Sequence, residues 1–229
     1  MFSQHSFDFL NSLAVNNDRE WFKTNQQQYE DQVRTPALQF IEAMQGPILG
    51  LSPRFTEVAK KVGGSLMRPQ RDSRFSKDKT PYKDYFSGSL SRMGQSLRGG
   101  YYIHLKPGDA FLAVGFWDPN KEDLFRIRKE IETDASDFHE LLNNKSFKNI
   151  WGNFQGDTLK TAPRGFSKEH PEIELLRRKN FVFIHPLKDS DICSENFIAN
   201  TVKAFEVSRP FLDLMSDILT TDLNGEPLL

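Results

Sequence analysis

Arg68-Pro69-Gln70-Arg71-Asp72-Ser73-Arg74-Phe75-Ser76-Lys77-Asp78-Lys79-Thr80-Pro81-Tyr82-Lys83 is the stretch on which the reading of this chain turns. Its six basic side chains and two carboxylates give a net charge of +4, whereas the whole 229-residue chain carries −1. Like charges held close together repel unless something negative offsets them, so the stretch reads as an electropositive site on a mildly acidic protein. If it is extended, side chains alternate between two faces. Arg68, Gln70, Asp72, Arg74 and Ser76 then share one face, and Arg71 and Phe75 the other. Gly63-Gly64 makes a turn just before it, and Phe55-Thr-Glu-Val58-Ala alternates before that. Residues 82–91, 100–106 and 110–116 follow as aromatic, β-rich segments, separated by 94–100 and by Pro107-Gly108-Asp109. These connections are too short for parallel crossovers, so the segments are expected to form an antiparallel meander.

Outward from this centre the periodicity becomes helical. Phe7, Leu10 and Leu13 recur at helical spacing behind Ser3 or Ser6, which can cap. Asn16-Asn17-Asp18 interrupts, and Asn17 with Glu20 three residues on has capping-box spacing. Trp21-Phe22 begins an amphipathic run, and Pro36 suits the first turn of a further helix ending near Gly46-Pro47. On the other side, Pro119 opens a helix to about Thr133, and a second helical piece fails at Asn143-Asn144. Residues 147–159 read as strand and turn, His170-Pro171-Glu172 starts a short helix, and Phe181-Val-Phe-Ile184 is a buried strand. A final helix starts near Ser194, and Pro210 is expected to kink or restart it. The class is α+β: a central antiparallel meander packed with N-terminal and C-terminal helices. One domain over 1–229 is expected, helical in 1–50, sheet-rich in 55–118, mixed in 119–190 and helical again in 194–220.

Length and composition are those of an ordinary globular chain, with 38% hydrophobic and 27% charged residues. The 20 phenylalanines point to an aromatic core. A general nucleic-acid coat protein would be basic overall, and this chain is not. The single cysteine, Cys193, excludes an internal disulfide framework and fits a reducing compartment. The opening residues show no basic region followed by an apolar one, and the longest apolar run, 110–117, is far short of a membrane span. A cytoplasmic location without membrane contact is expected; composition leaves the oligomeric state open.

Arg68 and Arg74 on one strand face, with Lys79 or Lys83 nearby, form the first candidate site, because the planar guanidinium fork donates two parallel hydrogen bonds to phosphate or carboxylate. Against this stands an internal ion-pair network, since Asp72 and Asp78 lie within the same stretch. Asp72, flanked by Arg71 and Arg74, is expected to stay ionised, which suits charge pairing better than proton donation. Arg164, between Pro163 and Gly165, sits on a constrained loop that can present its guanidinium to the same cleft, or be a solvated turn residue. Glu20 and Trp21 can line a cleft, or serve as capping carboxylate and core ring.

His5, His104, His139, His170 and His185 show no metal-ligand spacing, so no metal and no cofactor is expected. Cys193 has no C-x-x-C partner, Ser87-Gly88-Ser89 is not a nucleophile elbow, and Gly63-Gly64-Ser65 is neither a P-loop nor a dinucleotide fingerprint.

Arg68-x-x-Arg71-Asp72-x-Arg74-Phe75-Ser76-Lys77-Asp78-Lys79-x-Pro81-Tyr82 closely resembles the signature of a conserved hypothetical family of about this length, domain of unknown function 2461. Phe9-Leu10-x-x-Leu13-x-x-Asn16-Asn17-x-Arg19-Glu20-Trp21-Phe22, with Asn25 and Tyr29, resembles its N-terminus. Gly115-x-Trp117-x-Pro119, Ala162-Pro163-Arg164-Gly165-Phe166 and His170-Pro171 resemble its later blocks, so the likeness covers nearly the full chain. The resemblance implies no particular activity, but it argues against a chance origin for the basic stretch.

Three functions are compatible with these residues. One is an Arg-rich anion-binding cleft, with or without catalysis on a phosphorylated or carboxylated small molecule, built from Arg68, Arg71, Asp72, Arg74, Asp78, Lys79, Tyr82 and Arg164. The second is a non-catalytic nucleic-acid module in which Phe75, Tyr82 and Tyr85 stack on bases. The acidity of the rest of the chain counts against that one. The third is a protein-interaction module for an acidic surface.

Overall fold

Phe7, Phe9, Leu10 and Leu13 are all buried along one side of α1 (Gln4–Val15), the spacing their periodicity calls for. The computed structural model describes residues 1–51, 55–56, 65–74, 77–92, 99–221 and 226. The Gly63-Gly64 turn, the alternation through Val58 and the placing of Phe75 and Ser76 lie outside the described residues. Two short helices, α2 (Arg19–Thr24) and α3 (Gln26–Tyr29), lead into a π turn (Glu30–Arg34) and the long α4 (Thr35–Leu51). Pro36 has no N–H with which to continue an α ladder, and the chain widens just before it: the Thr35 N–H bonds back five residues to the Glu30 carbonyl.

The strands are β1 (Phe55–Thr56), β2 (Phe86–Arg92), β3 (Gly100–Leu105), β4 (Ala110–Phe116) and, after four helices, β5 (Phe181–Leu187). Those helices are α5 (Lys121–Thr133), α6 (Ser136–Asn143), α7 (Lys145–Trp151) and α8 (Ile173–Leu176); α9 (Asp189–Ile192) and α10 (Phe197–Thr220) close the chain. The sheet has the order β1-β2-β3-β4-β5, with β1 to β4 as the expected antiparallel meander, and the protein is 52% helical. The α+β class read from the sequence is therefore found.

Residues 147–159 correct the strand reading. Asn144 Oδ1 accepts the Phe147 N–H at 3.0 Å and caps α7, whose Phe147 and Trp151, four residues apart, are both buried. Pro210 does not interrupt α10, which runs unbroken through it.

The described residues group into two units. Met1–Ser91, Tyr102–Leu112 and Pro186–Lys203 make the first; Arg92–Tyr101, Ala113–His185 and Ala204–Leu229 make the second. In the first, Phe2, Phe40, Phe86 and Phe197 are buried, with the Phe40 and Phe197 rings stacked at 5.3 Å. In the second, Phe211 meets the edges or faces of Phe116, Phe154 and Phe183, and Trp151 Nε1 donates to the Ala204 carbonyl at 3.0 Å. Gly115 (φ +132°) allows the closest backbone approach of this core: a Cβ there would stand 2.2 Å from the Phe181 carbonyl oxygen.

Candidate functional site

The basic stretch does not form a continuous strand. It doubles back as an irregular hairpin held by isolated antiparallel bridges, Leu66 with Gly88 and Gln70 with Tyr82. The Arg71 N–H donates to the Pro81 carbonyl at 2.9 Å, and the Lys83 N–H to the Pro69 carbonyl at 2.8 Å. Pro69 and Pro81 have no N–H to offer a ladder, which is why the pairing stays sparse.

The start of α2 docks on this hairpin. Asp18, rather than Asn17, is the helix cap: its Oδ1 accepts the N–H groups of Glu20 and Trp21 at 2.9 and 2.8 Å. Asn17 is thereby free for a different task. Its Nδ2 donates to the Tyr82 carbonyl at 2.9 Å, and the Tyr82 N–H donates to its Oδ1 at 3.0 Å. The Tyr82 ring lies flat against Phe22, 3.9 Å between centroids. Two segments far apart in sequence are joined by a polar clasp and a ring stack.

Between them opens a cavity of about 580 Å³. Asn17, Asp18, Arg19 and Glu20 line it from one segment, and Gln70, Arg71, Ser73, Lys79, Pro81 and Tyr82 from the other. Its cations differ in what already holds them. Arg71 reaches Asp78 Oδ2 at 3.1 Å and Asp84 Oδ1 at 3.5 Å, and its buried Nε has no hydrogen-bond partner. Lys79 Nζ donates to the Ser73 carbonyl at 2.8 Å. Neither Lys79 nor Arg19 forms an ion pair among the described residues.

The other residues singled out from the sequence are placed differently. Arg74, exposed, grips Asp72 with two parallel bonds of 3.0 and 2.7 Å, the internal pairing weighed against a ligand role. Those bonds, then the Arg74 N–H, and more weakly Arg68, hold the Asp72 carboxyl below its usual range. Asp78 is held low chiefly by the N–H and hydroxyl of Thr80, less by Arg71. Arg68 is exposed and is not among the lining residues. Lys83, half-buried, has its amine pushed below the ordinary lysine value by burial first, then by Arg68 and Arg71.

Arg164 belongs to the second unit, exposed on a turn closed by the Phe166 N–H to the Pro163 carbonyl (3.1 Å), with Gly165 at φ +88°. Phe166 is buried beneath that turn and meets Phe125 edge-on.

Of the sequence candidates, Arg71, Lys79 and Tyr82 meet at one cavity, together with Glu20, while Trp21 packs on Phe9 (5.7 Å). Asn17 and Arg19 belong to the same lining; the only sequence signal of Arg19 was membership of the block resembling the family N-terminus, and Asn17 had in addition the spacing of a helix cap. Gln70 and Ser73 carried no signal beyond lying inside the basic stretch.

Histidines and cysteine find local roles. His104 stacks on Phe111 (4.8 Å) and lies tilted against Tyr85 (4.3 Å), and its burial lowers its pKa; His185 Nδ1 lies 2.9 Å from the Ile150 carbonyl. Burial, helped by Asp189, pushes the Cys193 thiol up, away from the reactive thiolate. Among the described residues no group of three or more His, Cys, Asp or Glu is placed to hold a metal, and no helix is long and apolar enough to cross a membrane.

Residues 5–214 match the model of a family described as conserved hypothetical protein (DUF2461). No curated protein matches the chain, and no solved structure does.

Proposed function

The chain belongs to that conserved hypothetical family, and we propose that it binds a small anion, a phosphorylated or carboxylated molecule, in the cavity between α2 and the basic hairpin. The observation that carries this reading is that Arg19 and Lys79 line the cavity with no carboxylate paired to either among the described residues. Arg71 stands beside them with a guanidinium only partly satisfied. Three cations facing one cavity from its two walls repel one another, and an anion relieves that repulsion while accepting their hydrogen bonds. The volume of about 580 Å³ is that of a small-molecule site. Asp18 spends an oxygen on capping, and Glu20 adds a carboxylate that accepts from a ligand hydroxyl or amine. A nucleic-acid role loses one of its stacking rings, because the Tyr82 face is already taken by Phe22. The single cysteine supports a reducing, cytoplasmic setting for this binding.

The test is a thermal-shift panel of inorganic phosphate, sugar phosphates, nucleotides and dicarboxylates, run on the natural protein and on a Lys79→Ala/Arg19→Ala variant. Neither side chain forms an ion pair among the described residues, so the variant is expected to fold normally. A specific anion raises the melting temperature by mass action. Loss of two charge-assisted bonds, about 1.5–3 kcal/mol each, removes that shift in the variant. If no anion shifts the natural protein, or the variant responds equally, the cavity is not an anion site.

A further inference from the structure

The outer side of α10 carries an apolar stripe that the fold of its own unit leaves open. Phe205, Ser208, Phe211 and Leu212 are buried, as the core demands. Val207, Pro210 and Leu214 recur at the same helical spacing one position round, with Val207 and Leu214 half-buried and Pro210 exposed. Together with Leu141 of α6 they floor a groove of about 520 Å³.

Its banks are acidic. Asp137 and Glu140 stand on the α6 side, Glu206 and Asp217 on the α10 side, and no Lys, Arg or His lines the groove. None of the four carboxylates forms an ion pair among the described residues, whereas their neighbour Asp213 is paired with Arg209 at 3.2 Å. Pro210 also deprives the Glu206 carbonyl of its helical N–H donor at the groove itself. An apolar floor between unpaired carboxylates on two helices is the complement of one kind of occupant. Its middle is aliphatic and its flanks are lysine or arginine.

We propose that this groove docks a basic amphipathic helix of a partner protein, apolar side chains down and cations against the two banks. From Glu206 to Asp217 the acidic bank spans about three helical turns, which sets the length of the docked segment. The inference stands apart from the anion-binding cavity, since it uses none of the same residues.

A fluorescein-labelled synthetic peptide of about 14 residues, with leucines at helical spacing flanked by lysines, serves as the probe in fluorescence anisotropy on the full chain. It is expected to bind on the order of tenfold tighter than a scrambled peptide of identical composition. Glu140→Lys/Glu206→Lys, both exposed and so compatible with the fold by circular dichroism, is expected to weaken it on the order of tenfold and to acquire affinity for the leucine–glutamate counterpart. Leu214→Ala weakens both pairings. Equal affinity for the scrambled peptide means charge adhesion only and overturns the proposal. So does a double variant that still prefers the lysine peptide, or a self-association of the natural protein that the double variant abolishes.

Discussion

The cavity of the first unit and the groove of the second are close in volume, about 580 and about 520 Å³, and opposite in charge and in construction. Three cations, Arg19, Arg71 and Lys79, outnumber two carboxylates, Asp18 and Glu20, in the cavity lining, and carboxylates line the groove without one cation among them. The cavity walls are a helix start and an irregular hairpin joined by side-chain hydrogen bonds to the backbone. The groove lies on helices whose inner faces are packed aromatic rings. A net charge of −1 therefore conceals two surfaces of opposite sign, and the average says little about either. The difference in construction also sets what each surface depends on: geometry in one, packing in the other.

The contrast is most sharply broken from the packed side. Phe211→Ala removes a ring that meets Phe116, Phe154 and Phe183, and is expected to cost about 3–5 kcal/mol, read by urea denaturation. A cost near zero would show that the rings beneath α10 do not hold the groove. On the cavity side Asn17→Ala strands both the N–H and the carbonyl of Tyr82, at about 1–3 kcal/mol, with faster hydrogen exchange at the Tyr82 amide. Unchanged exchange there would mean the clasp is idle.

The smallest effect concerns charge. Lys83 is expected to titrate below the ordinary lysine value, because burial and then Arg68 and Arg71 disfavour its charged form. The sign follows: between the folded and unfolded pKa values the unfolded chain holds more protons, so stability rises with pH across that window. Below the folded pKa the penalty is fully present. Arg68→Ala should move the Lys83 midpoint upward in an NMR titration, and an unmoved midpoint would separate these two cations.

How much of this was legible in the chain differs by element. The apolar periodicity of Phe7, Leu10 and Leu13 marks α1, since a helix face repeats within a few residues, and Pro119 marks the approach to α5. The meander was equally plain from aromatic segments with short connections. Helix α7 was not, because Phe147 and Trp151 are strand-favouring residues and only the cap at Asn144 with burial four residues apart makes them helical. In the cavity, Arg71, Lys79 and Tyr82 stood out by charge and motif, and Glu20 by its place at a helix start. Asn17 read as a cap, since a side chain that binds backbone 65 residues away leaves no local signature. The pairing of Arg74 with Asp72 was one of two open alternatives, and only geometry decides between them.

The Asn17–Tyr82 clasp has a consequence for how the protein assembles. It closes a chain loop spanning 65 residues, whose entropic cost by the logarithmic rule is about 4 kcal/mol before any contact within it is counted. No shorter piece of chain contains both walls, so the cavity comes into being only when the N-terminal helices and the hairpin have found each other. An anion bound as proposed would touch both ends of that loop and so latch a long-range contact, and its binding would report that the contact has formed.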